Sequence, residues 1–354
     1  MAARDLSSGP PDQPKPTVTT TVEFPKPKPE SLSNFGVLGQ GRFGSSASTR
    51  VADNVFRGAM LMSALSIFGI VLLVLWELVL KSQMSLHKFG WRFFIGRDWD
   101  PVAGSFGALP FIYGTVVSSI VALVIAVPLA IGVAVFTTEI CPRALRGMVS
   151  FTVELLAAIP SVIYGLWAIF VLAPFLREYV QPWLAKVLGW TGLFSGPPYG
   201  VGMLAAGVIL AIMIIPIISS VTREVLVSVP QNQREGVLAL GATRWEMIRT
   251  GVLRNARIGI VGGVILGLGR ALGETMAVTM VIGNRPEIAK SLFAPGYTMA
   301  SVIANEFSEA SDDLYLSALV EVGLALFLVT LIVNGLARLL VWSITRGAGA
   351  RAHA

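Results

Sequence analysis

Apolar residues in this chain come in runs too long for a strand and too continuous for one stripe of a surface helix. From Gly58 onward, six such stretches alternate with shorter polar connections, and each meets the requirement of about 20 residues per bilayer span. They lie near 58–80, 112–137, 149–176, 201–221, 257–282 and 317–343. The pattern predicts an all-α membrane protein with six transmembrane helices. Pro128, Pro160 and Pro216 fall inside these stretches and Pro174 near the end of one. Proline within a span is tolerated where neighbouring helices or water satisfy the carbonyls it frees, so a packed bundle is expected rather than isolated anchors.

Before the first stretch, Pro10, Pro11, Pro14, Pro16, Pro25, Pro27 and Pro29 stand among Ser, Thr, Lys and Gly, with no apolar run of signal-peptide length. Residues 1–52 are therefore expected to be a disordered cytoplasmic tail, followed by a six-span domain over 53–346 and a short cytoplasmic tail over 347–354. Composition sharpens this. Of 354 residues, 54% are hydrophobic and 14% charged, against about 25% charged in ordinary soluble domains. A soluble globular or disordered protein is excluded. Cys141 is the single cysteine, and His87 and His353 are the two histidines, so neither an internal disulfide nor a His-based metal site is expected.

The net charge of +6 would suit nucleic acid, but the basic residues follow membrane topology instead. Arg42, Arg50, Arg57, Arg143, Arg146, the arginines between Arg223 and Arg257, Arg346 and Arg351 all fall on one side. They outnumber Lys81, Lys88, Arg92, Arg97, Arg177, Lys186, Arg285 and Lys290 on the other. Both termini are thus expected in the cytoplasm, as an even span count also requires, with a lipid bilayer and no nucleic acid as surroundings.

The fifth stretch holds Arg270 and Glu274 near its middle. A charge at the centre of a bilayer helix costs roughly 2.5–3.5 kcal/mol on insertion scales and calls for a partner or a use. At about 100° per residue both fall on the same stripe as Gly259, Gly263 and Gly267, bordered by Gly262, Gly269 and Gly273. Val261, Val264, Ile265, Leu268 and Leu272 occupy the other arc and are expected to face lipid. Gly259, Gly263, Gly267 and Gly273 are candidate helix-packing positions. Arg270 has the fixed fork of donors that suits a phosphate-like oxyanion, and Glu274 would hold it when no anion is bound. A plain structural ion pair at i,i+4 spacing is the other reading.

Between the fourth and fifth stretches, 222–256 forms a long polar connection. Val237, Leu238 and Leu240 precede Gly241, while Trp245, Ile248 and Val252 follow it at helical spacing, which predicts two short amphipathic helices hinged at Gly241. A docking site for a cytoplasmic partner and a pair of helices lying at the headgroups both fit.

The run Arg234-Glu235-Gly236, then Ala239-Leu240-Gly241-Ala242, then Gly259-Ile260 and Gly263, resembles the cytoplasmic signature of ABC-importer permeases, in which that loop couples to an ATPase subunit. Glu235-Gly236-Val237 stands where the signature has Glu-Ala-Ala, and Arg254 where a proline is common. Trp99-Asp100-Pro101, Phe106-Gly107-Ala108-Leu109-Pro110, Tyr113-Gly114-Thr115, ELLAAIPSVIYGLWAIF and GLGRALGETMAVTMVIGN resemble, more narrowly, the C-type (PstC-type) permease subunits of phosphate importers, over roughly 55–345. The resemblance implies a type I importer-like permease fold with a coupling-helix loop. It implies a second, A-type permease subunit, a dimer of ATP-binding subunits, an extracytoplasmic phosphate-binding protein, and inorganic phosphate as cargo. It also implies roles in the substrate path for Arg270, Glu274 and Thr275, and in ATPase coupling for Glu235, Gly236, Leu240, Gly241 and Ala242.

No G-x-x-x-x-G-K-[ST] occurs in the chain, so energy is expected from another polypeptide or from a gradient. No cofactor is expected in the chain itself, ATP and magnesium belonging to the partner ATPase. Residues alone leave open a permease for sulfate or molybdate and a secondary anion transporter. A membrane-embedded enzyme is disfavoured, because the spans hold no histidine, cysteine or paired aspartates. Trp91, Phe93, Phe94 and Trp99 are expected as an interfacial belt, with a docking surface for the binding protein as the second reading, and Glu77, Glu154 and Arg338 as interface or packing residues.

Overall fold

The computed structural model describes residues 47–349, and among these the chain is helical, with one isolated antiparallel bridge between Asp100 and Ser105. Residues 1–46 of the expected tail and 350–354 lie outside the described residues. The chain divides into two units, up to Ile67 and from Phe68 onward. The described part of the first belongs to α1 (Ala47–Lys81), an apolar helix whose large side chains, including Met62, Leu65 and Ile67, are exposed.

The second unit continues through two short helices, α2 (Gln83–Phe89) and α3 (Arg92–Ile95), into α4 (Leu109–Val135) and α5 (Arg143–Ala158). Then α6 (Ser161–Trp167), α7 (Ala173–Phe175) and α8 (Gln181–Leu188) are joined by π-helical turns. After α9 (Met203–Val227) come α10 (Gln231–Ala239), α11 (Arg244–Glu246), α12 (Arg254–Gly273) and α13 (Met276–Val281), and finally α14 (Met299–Glu306) and α15 (Asp313–Gly349). Six segments are long and apolar enough to cross a membrane: Asp53–Lys81, Leu109–Ile140, Ser161–Thr191, Met203–Val227, Arg244–Gly273 and Asp313–Leu339.

Two of them differ from the sequence expectation, for identifiable reasons. The third was expected over 149–176 as one helix, but Ile159 and Pro160 are extended and separate α5 from α6. Pro160 has no N–H to bond the carbonyl four residues back, that of Leu156. The Tyr164 hydroxyl donates to that carbonyl instead, at 2.7 Å, so the break leaves it satisfied. The fifth was expected over 257–282, but it starts at Arg244 and its helix ends at Gly273, where Glu274 turns extended.

Close approach of α4 and α9 forms the centre. Ala122, Ala126 and Ala130 on α4, at i,i+4 spacing, are fully buried against an apolar surface that includes Ile209, Ile214 and Ile218 of α9. A second cluster, at the end opposite Gly241, gathers Phe93, Phe106, Phe111, Tyr297, Met299 and Tyr315. Here the expected aromatic belt is corrected. Phe93 is fully buried, and Trp99 packs edge-on against Phe106 and Phe111 while its indole N–H donates to Glu306 at 2.8 Å. Trp91 alone of the four is almost fully exposed. A folded cap, not the lipid interface, takes these rings, because 284–316 folds back over them.

Beside this cap, Ser317 Oγ of α15 donates to the Lys81 carbonyl at 3.0 Å and accepts from the Ser85 N–H at 3.1 Å. One turn further along α15, Glu321 is fully buried and faces Ser85, yet neither carboxylate oxygen makes a hydrogen bond of normal geometry.

The cap is seated on α4 at Gly114 and Thr115. A Cβ on Gly114 would overlap the Tyr297 carbonyl oxygen and lie 2.9 Å from its carbon, and Thr115 Oγ1 accepts from the Met299 N–H at 2.9 Å. Gly114→Ala is therefore expected to lower the melting temperature of the detergent-solubilised protein by several degrees, an overpacking cost of about 1–3 kcal/mol. Gly132→Ala, on the same helix with nothing within 4 Å, should not lower it. Equal melting temperatures for the two variants would remove this seating.

Candidate functional site

Arg270 lies on the last turn of α12, and Glu274 is the first residue beyond it. Their i,i+4 spacing brings Arg270 Nη2 to 3.6 Å from Glu274 Oε2, an ion pair too long to be a hydrogen bond. The two ends of the pair differ: the arginine side chain is 48% exposed and the glutamate 6%. Glu274 is held from the other side, since its Oε1 accepts from the Ala277 N–H at 3.5 Å at the start of α13. The helix break thus fixes the carboxylate and leaves the guanidinium reachable. Thr275 sits in the break with φ −109° and ψ −67°, and its carbonyl accepts from the Thr279 hydroxyl at 2.7 Å.

Beyond the break, α13 packs on α6, which itself begins just after the Pro160 break. Contact requires Gly165: a Cβ there would lie 2.5 Å from Met280 Sδ and 3.1 Å from Ala277 Cα. The helices that follow the two breaks, α6 and α13, therefore meet.

The glycines of α12 divide into two rows. A Cβ at Gly259 would overlap Val225, at Gly263 it would meet Val221 at 3.3 Å, and at Gly267 Ile218 at 2.7 Å, all on α9. Gly262, Gly269 and Gly273 have nothing within 4 Å. An added Cβ at Gly273 would meet nothing among the described residues, because six residues past Gly267 amount to roughly 240° of rotation. The expected lipid-facing arc is also corrected: Leu272 is buried and Val264 packs on the central core. Arg270 borders the uncovered face that Leu266, Gly269 and Gly273 share.

At the other end of the bundle, α10 closes with Gly241 at φ +85°, a left-handed conformation that costs glycine nothing. Thr243 then caps the next helix, its Oγ1 accepting from the Glu246 N–H while Glu246 Oε2 accepts from the Thr243 N–H. The second amphipathic helix expected here is not separate: α11 runs through a π-helical stretch, Met247–Leu253, straight into α12. The first of the two expected helices is α10, and non-helical residues are confined to the few on either side of it. Glu235, Gly236, Leu240 and Gly241 are exposed and Ala242 is half-buried. Leu240 is 89% exposed, a large apolar side chain offered to the surroundings next to the turn. Among the described residues no group of His, Cys, Asp or Glu could hold a metal ion.

Residues 126–346, the region that carries both sites, match the family model described as the binding-protein-dependent transport system inner membrane component. Over 304 residues the chain is 48% identical to the phosphate transport system permease protein PstC of Mesorhizobium japonicum, covering 85% of this chain and 93% of the relative. The chain belongs to the PstC family of ABC-importer permeases. A second PstC relative, from Pasteurella multocida, is 46% identical over 84% of this chain and 94% of its own length. The fold is shared more widely: a crystal structure of a bacterial ABC transporter involved in alginate import matches with a TM-score of 0.56 at 18% identity, over 84% of this chain and 99% of that one.

A PstC-family permease is a multi-pass membrane transport subunit, and its spans, uncovered α12 face and exposed turn suit that role. Two ion pairs link segments remote in sequence. Arg223 Nη2 meets Glu154 Oε1 at 2.8 Å, joining α9 to α5, and Arg234 meets Glu139. Each pair comes from segments far apart in sequence, so no local spacing signals it.

Glu274→Gln keeps an acceptor for the Ala277 N–H while removing the charge that faces Arg270. Arginine-directed dicarbonyl reagent should then modify Arg270 faster than in the parent protein, read by mass spectrometry. An unchanged rate would mean that Glu274 does not restrain the guanidinium.

Proposed function

We propose that this chain is the permease subunit through which an ATP-driven importer carries inorganic phosphate across the cytoplasmic membrane. The observation that carries the reading is the half-exposed Arg270, held at a helix break by a shielded carboxylate, on the border of a helix face that the described residues leave uncovered. An arginine stays charged at any physiological pH and offers parallel donors to a tetrahedral oxyanion. A phosphate arriving at Arg270 would exchange one weak, 3.6 Å ion pair for direct charge-assisted hydrogen bonds. Glu274 would reclaim the guanidinium once the anion leaves, and Thr275 contributes a hydroxyl at the same break. Phosphate as cargo follows from what the PstC relatives are named for, since Arg270 alone would serve sulfate or molybdate equally.

Partners follow the same reading. The uncovered face of α12, with Gly262, Gly269 and Gly273 bare, suits close approach by a second, A-type permease subunit, and the path would run between the two. Exposed Leu240, beside Glu235, Gly236, Gly241 and Ala242, suits docking of a dimer of ATP-binding subunits. ATP and magnesium would be held there and not in this chain. An extracytoplasmic phosphate-binding protein would deliver the anion at the opposite end, and both termini would lie in the cytoplasm with the α10 turn.

Arg270→Ala should lower ATP-dependent uptake of radiolabelled phosphate in reconstituted vesicles by about tenfold or more, the worth of a hydrogen bond to a charged group. Arg270→Lys keeps the charge, loses the fork, and should fall between the two. Uptake at the parent rate in Arg270→Ala, with the complex assembled, would overturn the anion role. Gly241→Val places a β-branched residue at positive φ and should uncouple ATP hydrolysis from uptake. Intact coupling in that variant would favour a loop that only lies at the headgroups.

A further inference from the structure

Adjacent residues of α10 face opposite ways. Glu235 is exposed, whereas Arg234 turns inward, its side chain 14% exposed, onto Glu139, which is 10% exposed. Arg234 Nε and Nη2 lie 3.3 and 3.1 Å from Glu139 Oε1. Nη2 also donates to the Leu226 carbonyl at 2.7 Å, and Nη1 donates to the Val229 carbonyl. Leu226 sits in the last turn of α9, where carbonyls lack helical partners and a cation is favoured. Glu139 sits in the π-helical turn that ends the second span. One guanidinium therefore ties α10 to the ends of two different spans, α4 and α9, which also form the most extensive helix pair in the bundle.

Apolar packing holds α10 as well, since Val237 lies against a buried cluster to which Val135, Leu226 and Ile248 belong. Its nine residues include no buried side chain. Its further tethers include Val237 against Gly251, where an added Cβ would lie 3.2 Å away, and a hydrogen bond of 2.7 Å from Asn255 to Gln233. Gly251 and Asn255 lie in the stretch that leads into α12. A helix this short is marginal alone, and the guanidinium adds to the apolar contact of Val237 a charged, directional tie to the ends of α4 and α9.

We propose that Arg234, clamped by Glu139, is a positioning residue for transport: it transmits displacement of α10 into the α4–α9 pair, while its neighbours Glu235 and Leu240 make the outward contact. The clamp rests on the reading of the α10 turn as the ATPase docking site, and the experiment separates the two. All of the guanidinium's nitrogens are engaged and turned away from the outer surface, so it is not itself a docking contact.

The complete importer is assembled with Arg234→Gln, Glu139→Gln, the double variant, Arg234→Lys or Leu240→Asp in this chain. Each complex is read for co-purification of the ATPase, melting temperature, and phosphate carried per ATP hydrolysed in vesicles. Expected is that Arg234→Gln and Glu139→Gln keep the ATPase and lose about tenfold or more in phosphate per ATP, since breaking a shielded pair is far costlier than losing an exposed one. The double variant should be no worse than the poorer single one, and Arg234→Lys should recover part of the ratio. Leu240→Asp should release the ATPase. An unchanged ratio in Arg234→Gln while Leu240→Asp releases the ATPase overturns the clamp alone. Loss of the ATPase from Arg234→Gln makes Arg234 a docking residue and overturns it too. Retention of the ATPase in Leu240→Asp, with normal ratios throughout, overturns the docking reading together with the clamp. A fall in melting temperature in Glu139→Gln matching its fall in ratio reduces the pair to a structural role and likewise overturns the proposal.

Discussion

Inside hydrocarbon no water is present to take up a backbone N–H or carbonyl, so every interruption of a spanning helix has to be satisfied by the protein itself. Much of this structure follows from that demand. The Pro160 break is affordable because the Tyr164 hydroxyl reaches the Leu156 carbonyl. The break after Gly273 is affordable because Glu274 turns its carboxylate onto the N-terminus of α13. Satisfying both breaks fixes where α6 and α13 begin, and the contact between them then requires a residue without a side chain at Gly165. Arg270 is placed by the same event, one turn before the second break, with its counter-charge already committed elsewhere. A reachable cation in a membrane protein is here the by-product of a solved hydrogen-bonding problem.

Spans could be read from the sequence because length and hydropathy are local properties, and the six segments correspond to the six stretches expected. Breaks within them could not. Pro160 was visible, but whether a proline kinks or fully interrupts a helix depends on who accepts the freed carbonyl, and Tyr164 gave no sign of that role. Glu274 looked like one more helical position because nothing in GRALGETMAV announces a stop. The row Gly259, Gly263 and Gly267 is legible from spacing, and so is the bordering row of Gly262, Gly269 and Gly273, which no described residue approaches. The aromatic residues outside the first span were misjudged for a related reason. Belt and cap use the same rings, and only the return of 284–316 over Phe93 and Trp99 distinguishes them. Arg234 was seen as part of a signature, but its partner Glu139 stands 95 positions away.

Charged pairs in this bundle are graded by shielding, and the gradation separates their tasks. Arg234 and Glu139 are both largely covered, Arg223 and Glu154 are partly open, and Arg270 is half open over a covered Glu274. A covered pair is rigid and resists exchange, since each partner left alone would be an uncompensated charge. An asymmetric pair is different: the exposed member can trade partners while the covered one keeps its place. Geometry that would make Arg234 a poor ligand for any passing anion makes Arg270 a suitable one.

Glu321 bears on the order in which the chain enters the membrane. It lies eight residues inside the last helix, about 12 Å along its axis, with its carboxyl group wholly enclosed. A lipid-exposed carboxylate at that depth would make the last span a poor candidate for insertion on its own. Lys81 and Ser85, which meet that helix through Ser317 and Glu321, are synthesised more than two hundred residues earlier. The ribosome therefore delivers the receiving surface first and the awkward guest last, and a circular permutation that reversed this order would ask the guest to wait in lipid with nothing to greet it.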